Sequence, residues 1–223
     1  MQARGIGGHG PDRVTLTRVI STAPDPASRP TAQQALDLLL EGNARFAEGR
    51  PRRPHQDDAH RRALTGGQWP HAVVLACSDS RVSVEMLLDQ GFGDLFVVRT
   101  AGHVLDRAVI ASVEFAVAQL GVGAALVLGH ESCGAVGAAQ RHLAGGHELP
   151  GAMPALVEGV RDHLDPEDPS RDAVARHVRG TLEDLLAASD LVASAQREGR
   201  LIVAGGVYGL ADGRVGLLGP VSA

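Results

Sequence analysis

The sequence predicts an α/β fold with a mostly parallel central sheet of four strands and an added antiparallel edge strand. Four short apolar runs have the length of buried strands and cover residues 72–76, 95–98, 124–128 and 201–204. Helical patterns separate these runs, which implies right-handed crossovers and helices on both faces of the sheet. Near the C-terminus, an Asp-Gly turn in "GGVYGLADGRVGLL" predicts the edge strand.

The helices are predicted from apolar spacing and from signals at their ends. Residues 31–49, "TAQQALDLLLEGNARFAEG", begin with Thr31 as an N-cap and continue with leucines at near-helical spacing. Residues 31–49 are expected to form an N-terminal helical arm. The segment "DDAHRRALTGG" predicts a second short helix. Further helical patterns cover residues 84–88, 108–120 and 135–143, with a long helical region over about 173–198.

The chain divides into an N-terminal arm and one domain. Residues 1–30 mix Gly, Pro and Arg without sustained periodicity, which predicts an irregular arm. Within it, "VTLTRVI" at 14–20 has the composition of a short strand. Residues 31–223 are expected to form a single domain that is long enough to bury a sizeable core.

Composition excludes several classes of partner. The chain has 21 basic and 26 acidic residues, a net charge of −5, which argues against a nucleic-acid surface. No apolar stretch reaches the roughly 20 residues of a membrane helix, so no membrane partner is expected. The N-terminus lacks the pattern of a signal peptide. We therefore expect a cytoplasmic protein.

Chemically active side chains follow three of the predicted strands. Cys77 and Asp79 come just after the first apolar run, Arg99 after the second, and His130 and Cys133 after the third. Because the carboxyl ends of parallel strands meet at one edge of the sheet, these side chains are expected to converge there. Two cysteines are too few for a disulfide framework, which favours a metal or catalytic role for both.

The residue types at this edge favour zinc. His130 and Cys133 are three residues apart, so both can face one ion, and Cys77 adds a second thiolate. Thiolate and imidazole ligands suit zinc better than magnesium or calcium, and three protein ligands with an open fourth position are typical of catalytic zinc. Asp79 is the one nearby group that could fill the fourth position and close the site.

Asp79 and Arg81 form a second feature of the same segment. They lie two residues apart, close enough to pair through their side chains. Such a pair would hold the carboxylate away from the metal and leave it to accept the proton of a zinc-bound hydroxide. If Arg81 released the carboxylate, Asp79 could displace the zinc-bound water or hydroxide and switch activity off.

Three segments carry a resemblance to a known family. "CSDSRV" at 77–82, "DLFVVRTAGHV" at 94–104 and "LGHESCGAV" at 128–136 resemble the signature blocks of the β-class carbonic anhydrases. "GNARFAEG" at 42–49 and "GVYGLADGRV" at 206–215 resemble the flanking blocks, so the resemblance covers about 31–218. The "RTAGHV" version is similar to an actinobacterial branch.

The resemblance implies an activity and an assembly. It implies one Zn²⁺ per subunit on Cys77, His130 and Cys133, and reversible hydration of CO2 to bicarbonate with Asp79 and Arg81 as the catalytic pair. It also implies a homodimer or homotetramer with the active-site cleft at the dimer interface, in which residues 31–65 embrace the partner. Further residues of the signature blocks are expected to line the cleft or support the ligands: Ser78, Arg99, Gly102, His103 and Gly134.

Several alternatives stay open from sequence. Relatives on this scaffold hydrolyse carbonyl sulfide or carbon disulfide, and a non-enzymatic zinc module would have Asp79 permanently on the metal, although Arg81 would then have no purpose. Arg99 either pairs with a carboxylate such as Asp79 or Asp94 and so supports the cleft, or lines the cleft itself. His103 is a candidate proton relay. The other histidines, His163 and His177 among them, are expected to be solvated or locally capped.

Overall fold

The computed structural model describes residues 29–146, 148–165 and 172–219. Five strands form one sheet in the order β2-β1-β3-β4-β5, and all neighbours are parallel except β4 and β5. The strands are β1 (Ala72–Cys77), β2 (Leu95–Thr100), β3 (Ala124–His130), β4 (Ile202–Tyr208) and β5 (Val215–Leu217). The predicted fold class is confirmed. The strand expected at 14–20 lies outside the described residues, and the domain boundary at 31 stays a prediction.

The strands extend further than their apolar runs predicted. Backbone pairing continues through Cys77, which lies opposite Thr100, and through His130, which lies opposite Tyr208. Cys77, Arg99 and His130 therefore belong to the last residues of their strands and do not follow them. The prediction ended each strand at the last apolar residue, whereas the ladder ends where backbone pairing stops.

Eight α-helices cover the sheet within the described residues. They are α1 (Ala32–Ala47), α2 (Asp58–Ala63), α3 (Val84–Leu87), α4 (Arg107–Ala118), α5 (Gly134–Leu143), α6 (Pro154–Glu158), α7 (Ala173–Ala188) and α8 (Asp190–Arg197). The predicted cap of the first helix is confirmed, because Thr31 and Gln34 form a reciprocal capping box. Short 3₁₀ helices occupy Leu64–Gly66, Ala101–His103 and Arg161–His163.

The predicted long helical region is two helices. Ser189 interrupts it, since its hydroxyl accepts a hydrogen bond from the Val192 N–H and starts α8. The same hydroxyl donates to Glu114 Oε1 at 2.6 Å. Helix α6 and the 3₁₀ helix Arg161–His163 were not predicted, because they lie in a segment without clear periodicity.

Alternating residues of the central strands form a core on each face. Val74 and Leu126 pack with α1 and α3 on one face, whereas Leu75 and Val127 pack with α7 on the other. The arm helix α1 lies on the chain's own sheet and buries Leu39 there. In the described ranges, no helix has the length and apolar character needed to cross a membrane.

Candidate metal centre

Three strand and helix ends bring the predicted ligands together. Cys77 ends β1, His130 ends β3, and Cys133 immediately precedes α5. The Cys77 and Cys133 sulfurs are 3.9 Å apart, and the ligand atoms of all three residues lie within 4.8 Å of one another. All three side chains are buried, with His130 0% exposed. The structure thus assembles the set that the spacing indicated.

The donor atoms fit a tetrahedral zinc ion. The His130 Nδ1 lies 2.9 Å from the Glu131 carbonyl oxygen, which can only accept, so Nδ1 carries the proton. The buried Nε2 has no hydrogen-bond partner among the described residues. Zinc–sulfur bonds of about 2.3 Å at a tetrahedral angle separate two sulfurs by about 3.8 Å, close to the 3.9 Å observed.

The electrostatics of the cluster also favour a cation. The hydrogen bond from Cys133 lowers the pKa of Cys77, with further help from His130 and against the effect of burial. The same bond, together with burial, raises the pKa of Cys133. Burial would lower the pKa of His130, but the Cys77 sulfur and the Glu131 carbonyl raise it above its ordinary value. A cation bound between the two sulfurs would take the place of the proton that they share, since metal binding to thiols releases protons.

Two backbone N–H groups hold the Cys77 sulfur. The Gly102 N–H donates to it at 3.3 Å, and the Asp79 N–H donates at 3.4 Å. Hydrogen bonds to a thiolate stabilise its negative charge and fix the direction of its lone pairs. Gly102 has φ of +69°, a conformation that favours glycine, and an added Cβ would lie 3.1 Å from the Ala135 Cβ.

Asp79 and Arg81 form the pair that their spacing predicts. Arg81 Nε donates to Asp79 Oδ1 at 2.9 Å, and Arg81 Nη2 donates to Oδ2 at 2.7 Å. Arg81 holds the pKa of the Asp79 carboxyl well below its usual range. Asp79 Oδ2 also lies 3.8 Å from His130 Nε2, at the edge of the ligand cluster. The carboxylate is therefore bound to Arg81 while it lies beside the Cys77, His130 and Cys133 cluster.

Among the described residues, Arg99 contacts backbone carbonyls and no carboxylate. Its Nε donates to the Cys77 carbonyl at 3.0 Å, and its Nη2 donates to the Asp79 carbonyl at 2.8 Å. The expected alternative of a pair with Asp79 or Asp94 is therefore wrong for the side-chain carboxylates. Arg99 instead fixes the backbone turn that carries the first ligand and the acidic member of the pair.

The remaining candidates differ in exposure. Ser78 is exposed and extends the ladder through its N–H, which donates to the Thr100 carbonyl at 2.9 Å. Gly134 is the first residue of α5. His103 is fully buried, and neither ring nitrogen has a hydrogen-bond partner in the described part of the chain. Burial and the neighbouring His177 lower the pKa of His103, which does not support a role as a proton relay.

The expectation for His163 and His177 was wrong. His177 is fully buried and lies 2.7 Å from the Gly102 carbonyl oxygen through its Nε2. His163 lies beside it, with the two Nδ1 atoms 2.9 Å apart. No spacing signal could have found these residues, because His177 and Gly102 are 75 residues apart in sequence.

Sequence comparison identifies the family. The sequence model of the family described as "Carbonic anhydrase" matches residues 72–215, more than half of the chain. Those residues include the whole ligand cluster and the Asp79–Arg81 pair. The chain belongs to the carbonic anhydrase family.

Individual relatives agree with this assignment. The chain is 44% identical over 198 residues to "Carbonic anhydrase 2" of Mycobacterium tuberculosis, covering 85% of this chain and 93% of the relative. It is 44% identical over 201 residues to a carbonic anhydrase of Mycolicibacterium smegmatis, covering 86% and 95%. Both cover nearly the full length of the relatives.

Solved structures of β-carbonic anhydrases share the fold. The Coccomyxa β-carbonic anhydrase in complex with acetazolamide is 27% identical, with a TM-score of 0.63, and the match covers 82% of this chain and 86% of that one. One of the structures described as two tetrameric β-carbonic anhydrases from Sordaria macrospora is 25% identical, also with a TM-score of 0.63, and covers 84% and 98%.

Proposed function

We propose that the protein catalyses the reversible hydration of CO2 to bicarbonate and a proton, with one zinc ion per subunit on Cys77, His130 and Cys133. The observation that carries this proposal is the buried cluster of two thiols and an unpartnered imidazole nitrogen within 4.8 Å. Membership of the carbonic anhydrase family supports the choice of reaction.

The chain's own residues prepare the ligands before any chemistry. His130 keeps its Nε2 lone pair toward the cluster because its Nδ1–H donates to the Glu131 carbonyl. Arg99 holds the two carbonyls of the turn that carries Cys77 and Asp79. When bound, zinc lowers the pKa of a coordinated water from about 15.7 toward about 7, so that hydroxide is available near neutral pH.

Asp79 and Arg81 are proposed to control the fourth position. Arg81 binds both carboxylate oxygens, so Asp79 stays ionised and is kept out of the fourth position. A carboxylate held by Arg81 beside the fourth position can accept a hydrogen bond from the reacting water. This bond directs the lone pair of the water oxygen toward CO2. If Arg81 releases Asp79, the carboxylate can occupy that position and activity stops.

The pair also argues against a non-enzymatic zinc module. In such a module Asp79 would close the site permanently. Instead its Oδ2 lies 3.8 Å from His130 Nε2 and 2.7 Å from Arg81 Nη2. That arrangement supports an open site.

We also propose that the protein self-associates as a dimer or tetramer. Within the described chain β2 pairs on one side only, with β1, which leaves a sheet edge open. Near this edge Met86 and Phe92 are 64% and 49% exposed. Light scattering should give two or four times the monomer mass. A monomer at micromolar concentration would contradict this proposal.

The cytoplasm is proposed as the compartment. Both cysteines are free, and reducing conditions would keep them available as ligands. Fractionation of the source cells should recover the protein with cytoplasmic markers, and recovery in a secreted or envelope fraction would contradict this.

The substrate is tested by comparing two reactions on one preparation. Stopped-flow CO2 hydration, measured beside sulfide release from carbonyl sulfide and carbon disulfide, should show hydration as the dominant activity of the zinc-loaded protein. Sulfide release without CO2 hydration would assign the protein to the alternative substrates. Neither activity, with zinc bound in full, would support the non-enzymatic module.

A further inference from the structure

A line of hydrogen-bonded side chains runs from the surface to the metal centre. Asp184 Oδ2, on a side chain 59% exposed, lies 3.0 Å from His163 Nε2. His163 Nδ1 lies 2.9 Å from His177 Nδ1, and His177 Nε2 lies 2.7 Å from the Gly102 carbonyl oxygen. Gly102 in turn donates its N–H to the Cys77 sulfur. The line of side chains therefore ends at Gly102, which is hydrogen-bonded to the proposed metal ligand Cys77.

The directions of the two hydrogen bonds that His177 makes in this line are fixed. A carbonyl oxygen only accepts, so His177 Nε2 donates to Gly102. Burial lowers the pKa of His177 to about 4, so the ring is neutral at pH 7 and its Nδ1 must accept from His163. His163 Nε2 faces a carboxylate oxygen that also only accepts. Asp184 therefore lies where it can hold the His163 ring beside His177.

Two residues of the segment that this line contacts have left-handed backbone conformations. Gly102 and His103 both have positive φ, +69° and +44°, a region that a non-glycine residue adopts only at an energetic cost. Glycine has the widest conformational freedom of any residue. A hydrogen bond to the Gly102 carbonyl restricts the residue whose N–H points at the Cys77 sulfur.

The surrounding structure leaves space for this arrangement. Gly180 lies on α7 one turn after His177, and a Cβ there would lie 2.0 Å from the Cδ2 of His163. The missing side chain lets His163 lie against the helix and reach His177. On its other side His177 stacks on His103, with ring centroids 4.2 Å apart. The stacking on His103 restricts the plane of the His177 ring.

We propose that His177 is a positioning residue for the metal centre, acting through Gly102 on the Cys77 sulfur, with His163 and Asp184 holding it in the required tautomer. The proposal rests on the proposed function only in taking Cys77 as a metal ligand. It concerns the charge on the Cys77 sulfur and the affinity of the site for its metal. It does not depend on which substrate the protein uses.

Substitution of His177 separates a positioning role from simple packing. His177→Leu keeps much of the volume but removes the donor to Gly102. His177→Gln places an amide N–H near the position of Nε2 and restores the donor. The matched control is Thr181→Val on the same face of α7, which removes a buried hydroxyl bonded to the His177 carbonyl and leaves the ring's bond to Gly102 intact.

The readouts are the spectrum of the cobalt-substituted full-length protein and zinc affinity measured by chelator competition. A thiolate that loses a hydrogen bond holds its charge at higher energy, so His177→Leu should move the sulfur-to-cobalt charge-transfer band to longer wavelength. Zinc affinity should fall at least about 10-fold, the effect typical of groups that orient metal ligands. His177→Gln and Thr181→Val should both stay near wild type.

A surface variant keeps the test valid if His177→Leu does not fold. Asp184→Asn should move the band in the same direction by a smaller amount. An unchanged spectrum in both His177→Leu and Asp184→Asn would overturn the proposal, and if His177→Leu does not fold, an unchanged spectrum in Asp184→Asn alone would do so. An equal shift in Thr181→Val would also overturn it. If wild type itself shows no sulfur-to-cobalt band, the metal centre fails first, so the two failures are distinguishable.

Discussion

The metal centre is supported from two sides that differ in exposure. On one side the exposed Arg81 binds Asp79, two residues away in sequence. On the other side the buried His177 binds Gly102, 75 residues away. An ion pair open to water can exchange partners at little energetic cost, whereas a broken buried hydrogen bond leaves unsatisfied groups. The exposed side is therefore suited to changing state and the buried side to keeping geometry fixed.

This difference leads to opposite expectations for substitution. Changes at the Asp79–Arg81 pair should alter activity while leaving stability almost unchanged. Changes at His177 should lower stability as well as altering the metal site. Replacing a metal ligand should have a larger effect on activity than either change, because both sides act through the same ligand cluster.

Cys77→Ser should have the largest effect. Serine is a poor zinc ligand beside a thiolate and an imidazole, so zinc content should fall from one per subunit to well below stoichiometric. CO2 hydration should be lost with it. Metal analysis and stopped-flow hydration on the same sample check this. Full zinc content with full activity would show that Cys77 is not a ligand.

Arg81→Ala should reduce hydration about 10- to 100-fold at neutral pH, since it frees Asp79. Zinc content should stay at one per subunit, and the urea midpoint should barely move, because exposed pairs contribute about 1 kcal/mol or less. Arg200→Ala is the matched control, since Arg200 also pairs with an acidic residue two positions away, Glu198, on the exposed surface. Equal loss of activity in both variants would contradict a specific role for Arg81.

His177→Leu should destabilise the fold by about 1–3 kcal/mol, because the Gly102 carbonyl and the His163 Nδ1 lose their partner. Urea unfolding of the zinc-free protein measures this without a contribution from the metal. A urea midpoint equal to that of wild type would mean that the hydrogen bonds of His177 stabilise the fold no more than the exposed Asp79–Arg81 pair does.

The same variant should change the acid dependence of stability. Burial lowers the pKa of His177 to about 4 in the folded protein, against about 6.5 when unfolded. The unfolded state therefore binds the proton first, so stability is full above about pH 6.5 and falls by up to about 3 kcal/mol as the pH drops toward 4. Urea midpoints between pH 7 and 4 should fall less steeply in His177→Leu. The slope should not vanish, because burial lowers the pKa of His103 as well.

Asp184→Asn should have the smallest effect on stability, below about 1 kcal/mol, because the side chain is 59% exposed. The substitution should shift the sulfur-to-cobalt band measurably even if the urea midpoint does not change. A loss as large as that of His177→Leu would show that the exposed end of the line is as important as the buried end.

The ligand side of the site could be predicted because its signals are local. Cys77 and His130 each come within two residues of the end of an apolar run, and Cys133 follows His130 by three residues. The parallel topology then brings these ends to one edge. The Asp79–Arg81 pair also depends only on a two-residue spacing.

The supporting side could not be predicted, for physical reasons. The position of His163 depends on a 3₁₀ helix at Arg161–His163 that has no clear periodicity, and on the space left by Gly180. The long-range contact of His177 with Gly102 arises only once α7 packs on the sheet. The break at Ser189 was missed because the serine caps α8 while apolar spacing continues past it.

The most direct test of the central claim is CO2 hydration measured while the metal-free protein is titrated with zinc. We expect the rate to rise linearly and to stop rising at one zinc per subunit, with no rise for Cys77→Ser. A rate that is independent of zinc, or a protein that binds one zinc and hydrates no CO2, would contradict the account.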